Sequence, residues 1–206
     1  MIDLYAFATP NSIKVPILLE ELGAAYTYHP VNVRQGEQKT PAFQALNPNG
    51  KVPVIVDPNG PSGTPITITE SAAILVYLAE KTGRFLARDG AARVRAFEWL
   101  FFHAAGLGPA FGQSGYFQKL APEPIPAAIE RFHGEAKRTL KVLDARLAEV
   151  EYLAGDYSIA DIANFGWIWR RAFANVDFDE TPSVARWYAA VEARPAVQRA
   201  IAKLSA

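Results

Sequence analysis

Cysteine is missing altogether from the 206 residues, and methionine occurs once. Disulfides, thiolate metal sites, a paired-cysteine redox motif and a cysteine nucleophile are thereby excluded. Any thiol chemistry would have to borrow its sulfur from a ligand. An excess of one charge sign is missing too, since 21 Lys and Arg balance 21 Asp and Glu. Nucleic-acid binders usually carry a basic surplus, so that class is disfavoured. A net charge of zero weakly favours self-association. The apolar runs fall well short of the ~18 residues a membrane helix requires. The opening MIDLYAF has an early acid and no basic stretch before an apolar core, so no signal peptide is expected. His29, His103 and His133 are scattered without metal-ligand spacing, and no metal is expected. These absences leave a soluble, cytoplasmic protein as the expectation. What is present is an ordinary globular balance, half apolar and one fifth charged. A chain of this length buries roughly 70% of its unfolded surface and needs neither metal nor disulfide to fold.

The first eighty residues alternate strand-like and helix-like patterns. Ile2 to Phe7 is short, apolar and partly aromatic, which predicts a strand. Thr9-Pro10-Asn11-Ser12 is a turn with potential helix N-caps. Apolar residues then recur at Ile13, Pro16, Ile17, Leu18 and Leu22, with Lys14, Glu20 and Glu21 on the opposite side and Gly23 as a stop. Tyr26 to Val33 reads as a second strand, and Pro41 to Leu46 as a short helix. Val52 to Val56 and Ile66 to Ile68 read as strands forming a hairpin, and Glu70 to Lys81 as a helix. The order β-α-β-α-β-β-α predicts a small mixed sheet with helices on its faces. After Gly83 the pattern is helical: 91–119, 124–150, 158–174, 181–193 and 195–204. The expected organisation is an α/β domain over 1–81, a linker over 82–90, and an all-α domain over 91–206, with a cleft between the domains as the default ligand site.

That strand and helix order, with a Val52-Pro53 step, resembles the thioredoxin fold. The segments NPNGKVPVIVD (47–57), ITESAAILVYLAEKTG (68–83) and YSIADI (157–162) resemble the signature segments of cytosolic glutathione transferases. TPN at 9–11, AGLGPAFGQ at 105–113 and AIERF at 128–132 are most similar to the bacterial nu class. The resemblance spans essentially the whole chain. It implies glutathione as cosubstrate, a homodimer, and glutathione-dependent reduction of disulfides.

Several residues carry the chemistry. Glu70-Ser71 opens a helix straight after a strand, where unpaired N–H groups and the positive dipole end suit a carboxylate. Read alone, the pair is equally an ordinary helix cap. The resemblance implies that Ser71 and the nearby amides take the γ-glutamyl carboxylate of glutathione, and that Glu70 pairs with its ammonium. Val52-Pro53 would be trans by default. The resemblance implies a cis bond that presents the Val52 main chain to the cysteinyl unit, as in strand addition. Lys51, otherwise a solvated loop lysine, is then placed to meet the glycyl carboxylate, with Gln38 a weaker candidate for the same end. Residues 9–12 stand where thioredoxin-like proteins carry their paired cysteines. A free thiol has a pKa near 8.5 and only the thiolate attacks. Lowering that pKa by about two units takes roughly 2.7 kcal/mol of preferential thiolate stabilisation. The donors there are Asn11, Thr9 and Ser12. The nu-class pattern puts Asn11 first and Thr9 second, whereas other transferase classes use a serine near this turn. Asn11 or Ser12 acting only as a helix cap is the competing reading. Tyr5 lies inside the first strand, too early for a thiolate partner, and reads as packing. Arg131 is either a surface arginine or, by resemblance, a cation for a second glutathione or a disulfide substrate, with Gln113 and Tyr116 near it.

Other signals carry less. Ser158-Ile-Ala-Asp161 is an S-x-x-D capping box, a structural feature. Gly106-Leu-Gly108-Pro-Ala-Phe-Gly112 has the wrong spacing and no preceding strand for a dinucleotide loop. Arg170-Arg171 reads as a solvated face, and Trp99, Phe101, Phe102, Trp167 and Trp169 as core or cleft wall. Three functions remain: glutathione-dependent disulfide reduction, conjugation of glutathione to small electrophiles with an apolar pocket from Phe111, Tyr116 and Phe117, and a non-catalytic interaction module.

Overall fold

A computed structural model describes residues 1–205. Strand β1 (Ile2–Ala6) pairs in parallel with β2 (Tyr26–Pro30) and antiparallel with β3 (Val54–Asp57), which pairs antiparallel with β4 (Ile66–Ile68). The sheet order is β2-β1-β3-β4, the mixed sheet predicted from the pattern. In register, Ile2 faces Tyr26 across the parallel pair and Tyr5 faces Val54 across the antiparallel one. Two strands are shorter than their apolar patterns. β2 stops at Pro30 rather than reaching Val33, and β3 begins at Val54 rather than Val52. Pro30 and Pro53 each lack the N–H that a continuing ladder uses. The Val52–Pro53 bond is cis.

Helix α1 (Lys14–Leu22) ends at Gly23, whose φ of 66° is the left-handed conformation that glycine adopts at least cost. Helix α2 (Pro41–Leu46) starts with the Thr40 hydroxyl accepting from the Phe43 N–H. Helix α3 (Ser71–Thr82) begins one residue after the predicted start and ends at Gly83, again with φ 66°. One prediction fails outright inside α1. Lys14, assigned to the polar face, is 0% exposed, as are Val15, Ile17, Leu18 and Leu19 around it.

The chain divides into two compact units, the first comprising Met1–Arg84 together with the segment from Arg194 onward, the second Phe85–Ala193. The last helix therefore belongs with the α/β unit, although residues 91–206 read as one helical domain. That helix, α9 (Pro195–Ser205), packs on α1. Its buried Ala196, Val197, Ala200 and Leu204 face inward. Arg194 holds Glu21 at 2.5 and 3.1 Å, and Arg199 holds Glu20 at 2.8 Å. The charged end of α1 is thus matched to α9, which periodicity alone does not reveal.

In the second unit the predicted helix 91–119 is two: α4 (Gly90–Phe102) and α5 (Gly108–Lys119), joined by a π-helical turn over His103–Leu107. Pro109 cannot donate to a carbonyl of the preceding turn, which accounts for the break. The glycines of this stretch serve packing. A Cβ on Gly115 would meet the Phe173 ring at 2.1 Å, and one on Gly108 would meet Trp167 at 3.2 Å. Helix α6 (Pro126–Glu149) precedes α7 (Ile159–Trp169) and α8 (Pro182–Glu192). The predicted helix 158–174 ends early, and its last residues form a 3₁₀ turn, Arg171–Ala174. Phe111 is fully buried, so it lines no open pocket. Phe101, expected in the core or the cleft wall, is 65% exposed on α4. Arg170 lies over the Trp169 ring and Arg171 over Phe178 and Tyr188, so both are cation–π partners rather than a solvated face.

The capping box forms as predicted and is larger than a cap. Asp161 Oδ2 accepts from the Ser158 N–H at 3.0 Å and its hydroxyl at 3.2 Å. Asp161 Oδ1 accepts from the Leu153 N–H at 3.0 Å and from Trp187 Nε1 at 2.9 Å. Asp161 is 0% exposed, and burial pushes its carboxyl up to about 6 against the pull of these four donors.

Candidate functional site

The turn after β1 folds around Thr9. Its main-chain carbonyl accepts from the Ile13 N–H at 3.1 Å. Its hydroxyl accepts from the Ser12 N–H at 3.2 Å and donates to Ser12 Oγ at 3.0 Å. Thr9 thus ties together the turn that leads into α1, whose own N-cap position, Ile13, has no side-chain cap. Ser12 is fully buried, with its hydroxyl turned to Thr9. Asn11 is left for something else. Its Oδ1 accepts from Lys14 Nζ at 2.8 Å. An amide whose oxygen is engaged inward keeps two N–H donors on the opposite side.

Lys14 joins this turn to a second helix start. The same Nζ donates to Ser71 Oγ at 3.4 Å, across 57 positions of sequence. Burial pulls the Lys14 ammonium down to about 7, with the charge of Glu70 opposing that shift. Ser71 is the first residue of α3 and is buried, while Glu70 before it is extended, exposed and makes no side-chain cap. The first helical bond there runs from the Ile74 N–H to the Glu70 carbonyl at 2.8 Å. The preceding first-turn N–H groups therefore have no acceptor within the helix, and with the Ser71 hydroxyl they form a seat for an anion.

A second group lies at the entry to β3. Asn47, 3% exposed, donates through Nδ2 to the Lys51 carbonyl at 2.7 Å, and its Oδ1 accepts from the Asn49 N–H at 3.0 Å. Gly50 has φ 62°, and a Cβ there would come to 3.2 Å from the Gln38 carbonyl. The NPNGK loop is thus built by Asn47 and Gly50, and Gly50, just before Lys51, lies against the Gln38 main chain. Lys51 is exposed. Gln38 donates to the Val33 carbonyl at 3.3 Å, and its Oε1 is buried without a donor. A buried orphaned acceptor is what a peptide N–H would satisfy.

Thr9, Asn11, Ser12 and Ser71 meet in one cluster, and Gln38 meets Gly50-Lys51-Val52-Pro53 in another, both within the first unit. Arg131 lies in the second unit, exposed on α6 one turn before Glu135, which Arg138 holds at 2.7 and 2.8 Å. Gln113 and Tyr116 are exposed on α5, and Tyr116 meets Phe117 edge-on. Tyr5 packs on Val31, Phe43 and Val54 and stacks on His29, the packing role expected of it. Sequence reading missed Lys14 and Asn47. Asn47 had a signal, an Asn-Pro-Asn-Gly turn; the partner of Lys14 is too distant in sequence to leave one. Among the described residues no helix is long and apolar enough to cross a membrane, and no group of three His, Asp or Glu side chains is placed to hold a metal ion.

The family model described as "Glutathione S-transferase, N-terminal domain" matches residues 8–81, and "Glutathione S-transferase, C-terminal domain" matches residues 101–195. The chain is 42% identical to the disulfide-bond oxidoreductase YfcG of Escherichia coli, over 98% of this chain and 95% of that protein. It is 40% identical to the disulfide-bond oxidoreductase YghU of the same organism, over 96% of this chain and 73% of that protein. A glutathione transferase family member from Pseudomonas fluorescens, solved with two glutathione bound, superposes with a TM-score of 0.93 at 45% identity, covering 97% of this chain and 92% of that one. One from Pseudomonas putida, solved with one glutathione disulfide bound per subunit, does so with a TM-score of 0.93 at 43% identity, covering 97% and 90%. With both halves matched, this chain belongs to the glutathione S-transferase family.

Proposed function

We propose that this protein is a glutathione-dependent disulfide reductase whose nucleophile is the thiolate of bound glutathione. The observation that carries the reading is the Asn11 amide. Its oxygen accepts from Lys14, which leaves its two N–H donors for another acceptor, at the turn where a thioredoxin-like protein would carry its cysteines. With no cysteine in the chain, the sulfur has to come from the ligand. The relatives named as disulfide-bond oxidoreductases, and the neighbours solved with glutathione or its disulfide, support the same chemistry.

In this reading the γ-glutamyl carboxylate sits on Ser71 and the first-turn amides of α3, with Glu70 meeting the ammonium. The cysteinyl unit runs beside Val52 and Pro53, and the glycyl end meets Lys51 and Gln38. Asn11 stabilises the thiolate; Thr9, the second candidate from the sequence, would assist only by turning its hydroxyl away from Ser12. The thiolate attacks one sulfur of the disulfide, a new S–S bond forms, and the other sulfur leaves as a thiolate and takes up a proton. A second glutathione thiolate then attacks the mixed disulfide and releases glutathione disulfide and the second thiol. Arg131 is the cation for a carboxylate of the second glutathione or of the disulfide. Conjugation to electrophiles is less well supported, because Phe111 is buried and only Tyr116 and Phe117 remain for an apolar pocket. Residues 1–81, with the returning α9, bind glutathione, 82–90 link, and the helical residues from 91 to 193 supply the substrate contacts. The protein works as a homodimer in the cytoplasm, where the glutathione pool is reduced; Val94 and Phe101, 67% and 65% exposed on α4, offer an apolar face for a second copy.

The test is glutathione-dependent reduction of hydroxyethyl disulfide, with a standard aryl halide assayed in parallel. The wild-type protein reduces the disulfide and conjugates the halide poorly. Asn11→Ala lowers kcat/KM for the disulfide by about 10²-fold, the scale of losing one donor to a developing or full anion. An unchanged rate in that variant removes Asn11 from the mechanism, and a wild-type protein active only on the halide overturns the reading.

A further inference from the structure

We propose that Lys14 is a positioning residue for the thiol chemistry: from inside the protein its ammonium holds the Asn11 amide with oxygen inward and donors outward, and holds the Ser71 hydroxyl at the same time, so that one side chain sets both the sulfur end and the carboxylate end of the glutathione site. The inference rests on the glutathione reading above and adds to it a residue that touches no substrate.

Lysine is almost never fully buried unless something holds it. Here Nζ is bonded to Asn11 Oδ1 at 2.8 Å and reaches Ser71 Oγ at 3.4 Å, and the side chain is 0% exposed. Both partners are neutral acceptors toward the ammonium. Accepting from Nζ orients Asn11 so that Nδ2 faces the opposite way, and it leaves the Ser71 hydroxyl hydrogen available to donate to a carboxylate. Without that cation, the Asn11 amide has no reason in the free protein to prefer one flip over the other, and the flipped molecules would present an oxygen to the thiolate.

The charge acts as well as the hydrogen bond. A buried cation attracts an anion bound next to the groups it holds. Glu70, ahead of α3, acts on Lys14 through its charge. On α1 itself, Glu20 and Glu21 are held by Arg199 and Arg194 of α9. Burial keeps the ammonium near 7, so it is poised to lose its proton over the range in which a glutathione thiol ionises. A thiolate on Asn11 and a carboxylate on Ser71 would each keep that proton in place.

The experiment compares wild-type protein with Lys14→Met and Lys14→Gln, all checked for folding by thermal melting. It measures kcat/KM for hydroxyethyl disulfide between pH 5.5 and 9.5 and glutathione affinity by calorimetry. Lys14→Met matches the lysine in shape and removes both the donor and the charge. It is expected to lower kcat/KM by about 10- to 100-fold and to move the rising, thiolate-forming limb of the profile about one unit toward higher pH. Lys14→Gln restores a donor toward Asn11 without the charge, so it recovers part of kcat while keeping the displaced limb. An active wild-type protein whose limb and kcat/KM are unchanged in both variants overturns the inference and leaves the glutathione reading standing. A wild-type protein that neither binds glutathione nor reduces the disulfide overturns both.

Discussion

Two helix starts in this chain bury polar groups in opposite ways. At the head of α7, Asp161 accepts four hydrogen bonds, from Ser158, Leu153 and Trp187, and every donor is supplied by the protein. At the head of α1, Thr9 ties the turn that leads into the helix, and Asn11 is joined through its oxygen to a fully buried Lys14, a bond that does not use its amide donors. The first cluster is closed and rigid; a ligand has nothing to add to it. The second is complete on its inner side only. Buried polar groups are costly unless satisfied, so a protein that keeps an incompletely closed cluster at a helix start has kept it for a partner from outside. Burial and polarity are common to both sites; the direction of the leftover donors separates structure from function.

That contrast breaks first at Asp161. Asp161→Ala strands the Leu153 N–H, the Trp187 Nε1–H and the Ser158 N–H inside the protein, and is expected to cost about 3 kcal/mol or more, beyond the roughly 0.5–2 kcal/mol of a lost cap. Chemical denaturation reads this, and the activity of the molecules that remain folded is unchanged. The next largest effect has the opposite sign. The native pKa of Lys14 is lowered to about 7 from 10.5 by burial. Below about 7 the lysine is protonated in both the folded and unfolded chains, and the folded state bears the full cost of a buried charge. Between about 7 and 10.5 the unfolded chain binds more protons, so stability rises with pH. Lys14→Met is accordingly more stable than wild type by roughly 2–5 kcal/mol at pH 6, an advantage that shrinks toward pH 10; denaturation curves at the two pH values check it. A destabilised Lys14→Met at pH 6 would make the lysine structural and erase the contrast. The smallest effect is expected at Ser158, where Ser158→Ala removes one hydroxyl and leaves Asp161 its other donors, costing about 1 kcal/mol with no change in disulfide reduction.

The sequence showed the parts of this molecule whose signals are local. Gly23 and Gly83 marked the ends of α1 and α3, Ser158 and Asp161 marked the start of α7, and Glu70-Ser71 marked the start of α3. What stayed hidden depends on distant partners. Lys14 was placed on the solvent face because periodicity assumes that a lysine points to water, and nothing near it in sequence announces Ser71. The direction of the Asn11 amide follows from Lys14 and was equally hidden. Phe101 was read as core or cleft wall because it is aromatic, and its 65% exposure on α4 excludes the core. The resemblance to glutathione transferases supplied the site residues as a set; the hydrogen bonds sorted them, giving the turn before α1 to Thr9 and the unused amide donors to Asn11.

The return of α9 to α1 has a consequence for engineering. Arg194 and Arg199 join Glu21 and Glu20, and Val197 and Ala200 are buried in the same helix. The α/β unit is therefore made of two separate stretches of the chain, with the helical unit between them. Exchanging the helical unit for a foreign one keeps the α/β unit whole only if both stretches are kept. A transplant cut after Arg84 would lose the helix that covers α1, the same helix whose first turn carries Lys14.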